Sequence, residues 1–266
     1  MDYQAIAKGL RKQIIMMHAK SNGSHVGSAL SSLDILIVLY FCILKIDRAT
    51  IGSKNRNTFI LSKGHAVSAL YAVLAKKGLL AGKYLKRYCI NKTGLPGHCT
   101  KGCVKGIEVS TGSLGHGLSI GAGMALAKKH DGLRSKIFVL LSDGECDEGS
   151  VWEAAMFAGH HKLNNLIAII DYNKIQAFGR TKEVLDLEPL KDKWEAFGWS
   201  VKEVNGHNFK ELSRVLKNVP FNNSKPSVVI AHTIKGKGVS FMENKLEWHY
   251  RSPDNEQLKM ALRELE

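Results

Sequence analysis

The chain has 266 residues, of which 44% are hydrophobic and 23% charged, a composition that excludes an intrinsically disordered protein. Its formal net charge of +14 is large, but the basic residues are spread without a dense block, which argues against nucleic-acid binding. A basic surface could instead steer phosphorylated substrates or match an acidic partner subunit. Five scattered cysteines, an odd number, argue against a disulfide framework.

The first third of the chain is predicted to be mainly helical, because apolar residues recur there at helical spacing. The three stretches are Ile6-Leu10-Ile14-Met17, Leu33-Ile37-Tyr40-Leu44 and Val67-Leu70-Leu74. The longest apolar run, residues 35–44, is too short to cross a bilayer, and the charged N-terminal segment differs from a signal peptide. We therefore expect a cytoplasmic protein without a membrane span.

Three short apolar runs rich in β-branched residues indicate buried parallel strands. They cover residues 137–141, 166–170 and 228–231, and each is followed by polar residues or glycine. A helix is predicted to begin near Ser150, between the first two runs, and a second helix follows Asp254 near the end of the chain. The pattern predicts one α/β domain over residues 1–266, Rossmann-like, with a mostly parallel sheet flanked by helices.

The helix near Ser150 is predicted to place Trp152, Ala155, Met156 and Gly159 on one face. A right-handed β-α-β connection brings the loops after the first two strands to the same edge of the sheet. Ligands of open α/β sheets bind at that edge.

Polar side chains follow both of these strands. Asp143 lies in the sequence Ser142-Asp143-Gly144-Glu145 and Asn173 in Asp171-Tyr172-Asn173. A carboxylate and an amide oxygen at one edge can hold Mg²⁺, which completes its shell with phosphate oxygens and water. Each residue alone could equally cap a helix or form a turn, but the pair favours a diphosphate site.

These residues resemble the thiamine-diphosphate motif of transketolases. The motif continues through Glu148-Gly149, Glu153-Ala154, Ala158-Gly159-His160 and Asn164-Asn165-Leu166 to Asp171-Tyr172-Asn173. The resemblance extends over nearly the whole chain in family order, through Gly23-Ser24-His25-Val26-Gly27, Leu61-Ser62-Lys63-Gly64-His65, Pro96-Gly97-His98, Thr111-Gly112-Ser113-Leu114-Gly115-His116-Gly117, Lys235-Gly236-Lys237-Gly238 and His249.

The resemblance implies two cofactors, thiamine diphosphate and Mg²⁺, or another divalent cation such as Ca²⁺ or Mn²⁺. The metal ligands would be Asp143, Asn173 and the backbone carbonyl of Ile175. The cofactor-binding residues would be His65, Gly112, Ser113, Leu114, Gly115, Asp143, Gly144, Glu145, Glu148 and Asn173. Glycines suit such loops because they let backbone N–H groups approach phosphate oxygens.

Four histidines match family residues that surround the reacting carbon and the substrate hydroxyls, namely His25, His65, His98 and His249. Ketol transfer moves protons on and off hydroxyls, and imidazole titrates near neutral pH. The ordinary interpretation, a surface or core histidine, is kept for His18, His130, His161 and His207.

Some positions depart from the family pattern. Ser113 stands where proline is common, His116 where glutamine is common, and Cys99 where proline usually follows the histidine. These departures concern donor and acceptor preference more than cofactor binding. His98, Cys99 and Cys103 could also form part of a zinc site, but no second ligand pair follows, which favours free thiols.

In transketolases, the carboxylate that activates thiamine diphosphate belongs to a pyrimidine-binding domain. The resemblance covers this chain without such a domain, so we expect a separate C-terminal transketolase subunit that supplies the glutamate, in an α₂β₂ assembly. The substrates would be sugars or sugar phosphates. The alternatives are a fragment of a longer chain, a deoxyxylulose-phosphate synthase, a 2-oxo acid dehydrogenase subunit, or a non-catalytic binding subunit.

Overall fold

The computed structural model describes residues 1–90 and 94–266. In this part of the chain, the sheet has five strands: β1 (Thr58–Leu61), β2 (Ile137–Ser142), β3 (Leu166–Tyr172), β4 (Ser200–Asn205) and β5 (Ser227–His232). Their order is β1-β2-β3-β5-β4, and every neighbouring pair is parallel. The structure confirms the predicted α/β class and adds β1 and β4 to the three predicted strands.

Helices connect the strands and cover the sheet. They are α1 (Tyr3–Ser21), α2 (Val26–Val38), α3 (Val67–Lys76), α4 (His116–His130), α5 (Gly149–His160), α6 (Thr181–Val184), α7 (Leu190–Ala196), α8 (Phe209–Lys217) and α9 (Asn255–Glu264). The predicted C-terminal helix begins with a capping box, in which Asp254 and Gln257 satisfy each other's backbone N–H groups. The predicted helical N-terminal third is confirmed.

Two apolar cores lie on opposite faces of the sheet, because successive strand side chains point to opposite sides. One packs against α1, α2, α3 and α8 and takes from the strands Phe59, Leu61, Phe138, Leu140, Ile167, Ile169, Val204, Val229 and Ala231. The other packs against α4, α5 and α7 and takes from the strands Ile60, Ile137, Val139, Leu141, Leu166, Ala168, Ile170, Tyr172, Val228 and Ile230. Burial on both faces explains why these strands read as continuous apolar runs.

The most apolar helix is α2, which continues as a π-helical turn over Leu39–Ile43. Among the described residues, the stretch Val26–Ile43 is the one that is long and apolar enough to cross a membrane. Within the fold, 89% of this stretch is buried, as in the central core helix of a globular domain.

The face predicted for α5 is only partly buried, with Ala155 in the core and Trp152 packed against it. The helix buries Val151, Ala154, Ala155 and Ala158, whereas Met156 is 58% exposed. Alanines recur at helical spacing beside the larger residues, so the sequence offers two faces. The face with the alanines is the buried one because small side chains let the helix approach the sheet closely.

Candidate active site

A cavity of about 410 Å³ opens at the carboxyl ends of β2 and β3, the edge that the sequence predicted. Asp143 follows β2 and Asn173 follows β3, and both lie in the wall. The cavity is lined by His25, Ser28, Lys63, His65, His98, Gly112, Leu114, Ser142, Asp143, Gly144, Asp147, Glu148, Asn173, Ile175, Gln176, Ala177, Phe178, Val184, Lys235 and His249.

Oxygen atoms of Asp143, Asn173 and Ile175, which could act as metal ligands, form one part of this wall. Backbone N–H groups orient two of these side chains: Gly144 and Lys174 donate to the Asp143 carboxylate, and Ile175 donates to Asn173 Oδ1 at 3.1 Å. Each oxygen keeps a lone pair for a further partner. Burial and the nearby Asp171 raise the pKa of Asp143 to about 6, so a cation here would stabilise its ionised form.

The contact between Asp143 and Gly144 means that the helix-capping interpretation was also correct. Asp143 precedes a short 3₁₀ turn over Gly144–Asp147, and its Oδ1 accepts from the Gly144 N–H at 2.7 Å. The second oxygen, Oδ2, accepts from Lys174 on the neighbouring loop. One carboxylate therefore caps the turn and also joins the loops that follow β2 and β3.

Two buried lysines stand at the floor of the cavity. Lys63 forms an ion pair with Asp171, and both side chains are fully buried. Burial alone would raise the pKa of Asp171, but Lys63 and hydrogen bonds from Ser31 and Thr233 lower it below its ordinary value. This buried network fixes the end of β3.

The second lysine, Lys235, donates to the carbonyl oxygen of Ile175 and contacts Nδ1 of His249, both at 2.8 Å. Burial and the charge of Lys63 lower its pKa to about 8. Sequence reasoning did not name Ser28, Lys63 or Lys235 as site residues. Both lysines lie inside family motifs, Lys63 just before Gly64-His65 and Lys235 just before Gly236, and this position could have identified them.

The four predicted histidines converge in the structure. The ring of His25 lies 5.0 Å from that of His65, 5.8 Å from His98 and 5.1 Å from His249, measured between centroids. Burial lowers the pKa of all four, with the neighbouring cationic groups contributing at three of them, to about 4 at His25 and about 3 at His249. At neutral pH the cluster therefore consists of uncharged imidazoles, which can donate and accept hydrogen bonds.

Main-chain contacts hold the loops that carry these histidines. Gly236 donates to the Gly27 carbonyl oxygen at 3.0 Å, beside a tight approach of Lys235 and Trp248 to Gly27. A Cβ at Gly27 would lie 3.1 Å from the Trp248 oxygen and 3.2 Å from Lys235 Cγ. The absence of a side chain there lets three distant segments meet at the site.

His18 has the structural role expected of it. It is fully buried, and its Nδ1 lies 2.7 Å from the Gly23 carbonyl oxygen while Nε2 lies 2.8 Å from Ser68 Oγ. A carbonyl only accepts, so the neutral ring donates from Nδ1 and accepts at Nε2. His18 thereby supports the loop that presents His25.

The turn at residues 112–115 and the side chain of Glu145 need a correction. We expected Glu145 beside the phosphates, but its carboxylate lies beneath the turn, where it accepts from Ser62 and from the Gly115 N–H. Gly112 and Leu114 line the cavity, whereas Ser113 and Gly115 do not. Glu145 supports the turn because its buried carboxylate accepts the hydrogen bond from the Gly115 N–H.

The other polar residues considered from the sequence lie outside the cavity. His207 is held by Asp34 and by the backbone of Ile234, and His130 is exposed. Within residues 1–90 and 94–266, no group of three Cys, His, Asp or Glu residues is arranged to hold a metal ion, which gives no support to a zinc site at Cys99. Burial raises the pKa of the Cys99 thiol to about 12.

Comparison with known proteins identifies the family. A family model described as "Transketolase, thiamine diphosphate binding domain" matches residues 3–265. The chain belongs to the transketolase family. The cavity at the carboxyl ends of β2 and β3 therefore lies in a transketolase thiamine-diphosphate-binding domain.

Two curated transketolase relatives match almost from end to end. The chain is 44% identical to an apulose-4-phosphate transketolase subunit of Phocaeicola vulgatus, over 96% of this chain and 90% of that protein. It is 45% identical to the 6-deoxy-6-sulfo-D-fructose transketolase subunit SqwG of a Clostridium species, over 100% of this chain and 96% of the relative.

A solved transketolase shares the fold. The structure of the Campylobacter jejuni transketolase superposes with a TM-score of 0.92 and 32% identity. The match covers 99% of this chain and 42% of the C. jejuni chain, so this chain spans about two fifths of that transketolase.

Proposed function

We propose that this chain is the cofactor-binding subunit of a two-component transketolase, which transfers a two-carbon ketol unit from a ketose to an aldose acceptor. One observation carries the proposal: the oxygen atoms of Asp143, Asn173 and Ile175, two buried lysines and four histidines line a single cavity. The oxygens and lysines suit a diphosphate with its cation, while the histidines suit a substrate rich in hydroxyl groups.

The residues present fit thiamine diphosphate and a divalent cation. Asp143, Asn173 and the carbonyl of Ile175 would hold Mg²⁺, or Ca²⁺ or Mn²⁺, because such hard cations prefer oxygen ligands. The backbone of Gly144 lies beside the same cluster and can approach phosphate oxygens, and Lys63 and Lys235 add positive charge at the floor. When bound, thiamine diphosphate would supply the electron sink that ketol transfer requires.

The four histidines would bind and orient the sugar. The rings of His65, His98 and His249 lie close to that of His25 in the cavity wall, where neutral imidazoles can donate to a carbonyl oxygen or accept from a hydroxyl. His65 is the most buried of the four, at 8% exposed, whereas His98 is exposed. This difference in burial favours a role for His65 near the reacting carbon and for His98 near the outer hydroxyls.

The partner would be a C-terminal transketolase subunit that supplies the activating glutamate, in an α₂β₂ assembly in the cytoplasm. The two relatives named as transketolase subunits support this because the chain matches 90% and 96% of their own length. Apolar side chains at the cavity mouth also support it. Phe178 and Val184 line the cavity, yet remain 81% and 41% exposed, as expected where a second surface covers them.

The donor would be a ketose that carries an anionic group. The names of the two relatives contain a phosphate and a sulfo group, respectively. The net charge of +14 on this chain favours the approach of anionic sugars by long-range attraction.

The proposed function is tested by titration and by product analysis. Isothermal titration of the chain, alone and with its partner, should detect thiamine diphosphate binding that requires Mg²⁺. Mass spectrometry of the paired subunits with a ketose phosphate and an aldose should show a product two carbons longer than the acceptor. Absence of binding in both samples would favour a non-catalytic subunit, and release of CO₂ from a 2-oxo acid would favour a decarboxylating enzyme.

A further inference from the structure

Among the four site histidines, His249 differs in its hydrogen bonding. Its Nδ1 lies 2.8 Å from the Nζ atom of Lys235. In the described part of the chain, the structure gives no hydrogen bond to the ring nitrogens of His25, His65 or His98. The chemical state of the His249 ring is therefore fixed by a neighbour, whereas the other three rings are free to respond to a ligand.

The Lys235 ammonium sets the direction of this contact. An ammonium group has three N–H donors and no lone pair, so it can only donate to His249. Lys235 also donates to the Ile175 carbonyl oxygen at 2.8 Å, which anchors the ammonium between the two acceptors. Nδ1 of His249 must then be the unprotonated nitrogen of a neutral ring, and the proton lies on Nε2.

We infer that Lys235 is a positioning residue which fixes the Nε2–H tautomer of His249, so that His249 presents a hydrogen-bond donor to the substrate and does not act as a base. His249 lines the cavity, and its Nε2 has no partner among the described residues. Such a donor suits a carbonyl oxygen that gains negative charge during ketol transfer. The catalytic part of this inference rests on the proposed function.

The inference divides the histidine cluster by role. Because its Nδ1 lone pair is occupied and its Nε2 carries the proton, His249 cannot accept a proton from a substrate hydroxyl. That task is left to His25, His65 and His98. The low pKa of His249, about 3, agrees with a ring that is uncharged at neutral pH in the free chain.

The tautomer can be measured in the free chain without any assay of activity. In long-range ¹H–¹⁵N spectra of the protein labelled with ¹⁵N-histidine at neutral pH, the His249 signal is identified by its loss in His249→Gln. We expect an unprotonated Nδ1 and a protonated Nε2. The opposite tautomer would overturn the inference, and because no turnover is measured this result is independent of the proposed function.

The role of Lys235 is tested by Lys235→Met, which removes the donor while keeping a side chain of similar length. We expect the Nδ1–H tautomer of His249 to become populated in this variant. Lys237→Met is the matched control, because Lys237 is a partly exposed lysine two positions away, paired with Glu243 outside the cavity. An unchanged tautomer in folded Lys235→Met would overturn the positioning role; if that variant does not fold, the wild-type spectrum decides.

The catalytic consequence is tested in the paired enzyme. His249→Gln keeps an N–H donor near the Nε2 position but cannot accept a proton, whereas His249→Leu keeps neither. We expect kcat to fall about 10²–10³-fold in His249→Leu and at most about tenfold in His249→Gln. Equal loss in both variants, with the expected tautomer present, would overturn the donor role.

Discussion

The backbone N–H of His25 donates a hydrogen bond to the carbonyl oxygen of His249 at 2.8 Å. This contact joins a loop near the start of the chain to a 3₁₀ turn near its end, and it holds the two rings 5.1 Å apart. His25 adopts a left-handed conformation, with φ of 76°, at the N-terminus of α2. The histidine cluster therefore depends on main-chain geometry as well as on side-chain identity.

The first prediction concerns the proposed metal ligands Asp143, Asn173 and Ile175. Asp143→Ala should weaken Mg²⁺-dependent binding of thiamine diphosphate by about two orders of magnitude, because it removes the carboxylate of the proposed metal site. Isothermal titration measures this effect. Asp131→Ala, at an exposed position, is the control and should bind as the wild type does. Unchanged affinity in Asp143→Ala would mean that the metal site is misassigned.

The second prediction concerns the buried ion pair. Lys63→Met should lower the free energy of unfolding by about 3–5 kcal/mol, because it leaves the Asp171 charge buried without its cation. Adding Asp171→Asn should restore part of this loss, since the remaining side chain is neutral. Urea unfolding measures both. Lys191→Met, which breaks an exposed pair with Glu195, should cost less than about 1 kcal/mol. Equal losses of stability in Lys63→Met and Lys191→Met would contradict a buried ion pair between Lys63 and Asp171.

The third prediction uses two glycines of α4. A Cβ at Gly121 would lie 2.6 Å from Cγ2 of the buried Val139, whereas a Cβ at Gly123 would meet no atom within 4 Å. Gly121→Ala should therefore destabilise the fold by about 1–3 kcal/mol. Gly123→Ala should stabilise it by about 0.5–1 kcal/mol, since alanine favours the helix. Thermal unfolding distinguishes the two, and a stabilising Gly121→Ala would show that α4 packs less closely than described.

The fourth prediction concerns pH and His18. Burial lowers the pKa of His18 from its ordinary value of 6.5 to about 4. The unfolded chain therefore binds this proton more readily than the folded chain does. The contribution of neutral His18 to the free energy of unfolding is complete above pH 6.5 and is lost as the pH falls towards 4. Between pH 7 and pH 5, the wild type should lose about 2 kcal/mol more than His18→Gln.

The measurement for His18 is urea unfolding at several pH values. His130→Gln is the control, because it replaces a histidine whose side chain is 89% exposed. Identical pH profiles for the wild type and His18→Gln would show that His18 is protonated as easily in the folded chain as in the unfolded one.

The strands that the sequence predicts are those buried on both faces. β2, β3 and β5 are continuous apolar runs, and their common edge correctly located Asp143 and Asn173. β4 lies at the edge of the sheet with Lys202 and Glu203 exposed, so it has no apolar run, and β1 has only four residues. Local patterns of hydrophobicity could not identify either strand.

The site residues depend on a different kind of information. The four histidines and the proposed metal ligands were predicted from family motifs, and the structure brings them to one cavity. The buried positions of Lys63 and Lys235 could not be predicted from periodicity, since charged residues are rarely buried without a partner. The partner of Lys63, Asp171, is distant in sequence and meets it only through the parallel pairing of the strands.

Reconstitution of the two subunits distinguishes a split transketolase from a chain that is active alone. The chain, its proposed C-terminal partner subunit, and their mixture are assayed for ketol transfer with thiamine diphosphate and Mg²⁺. We expect turnover in the mixture and none above background in either chain alone, because the activating glutamate would lie on the partner and the diphosphate site on this chain. Full turnover by this chain alone would contradict it.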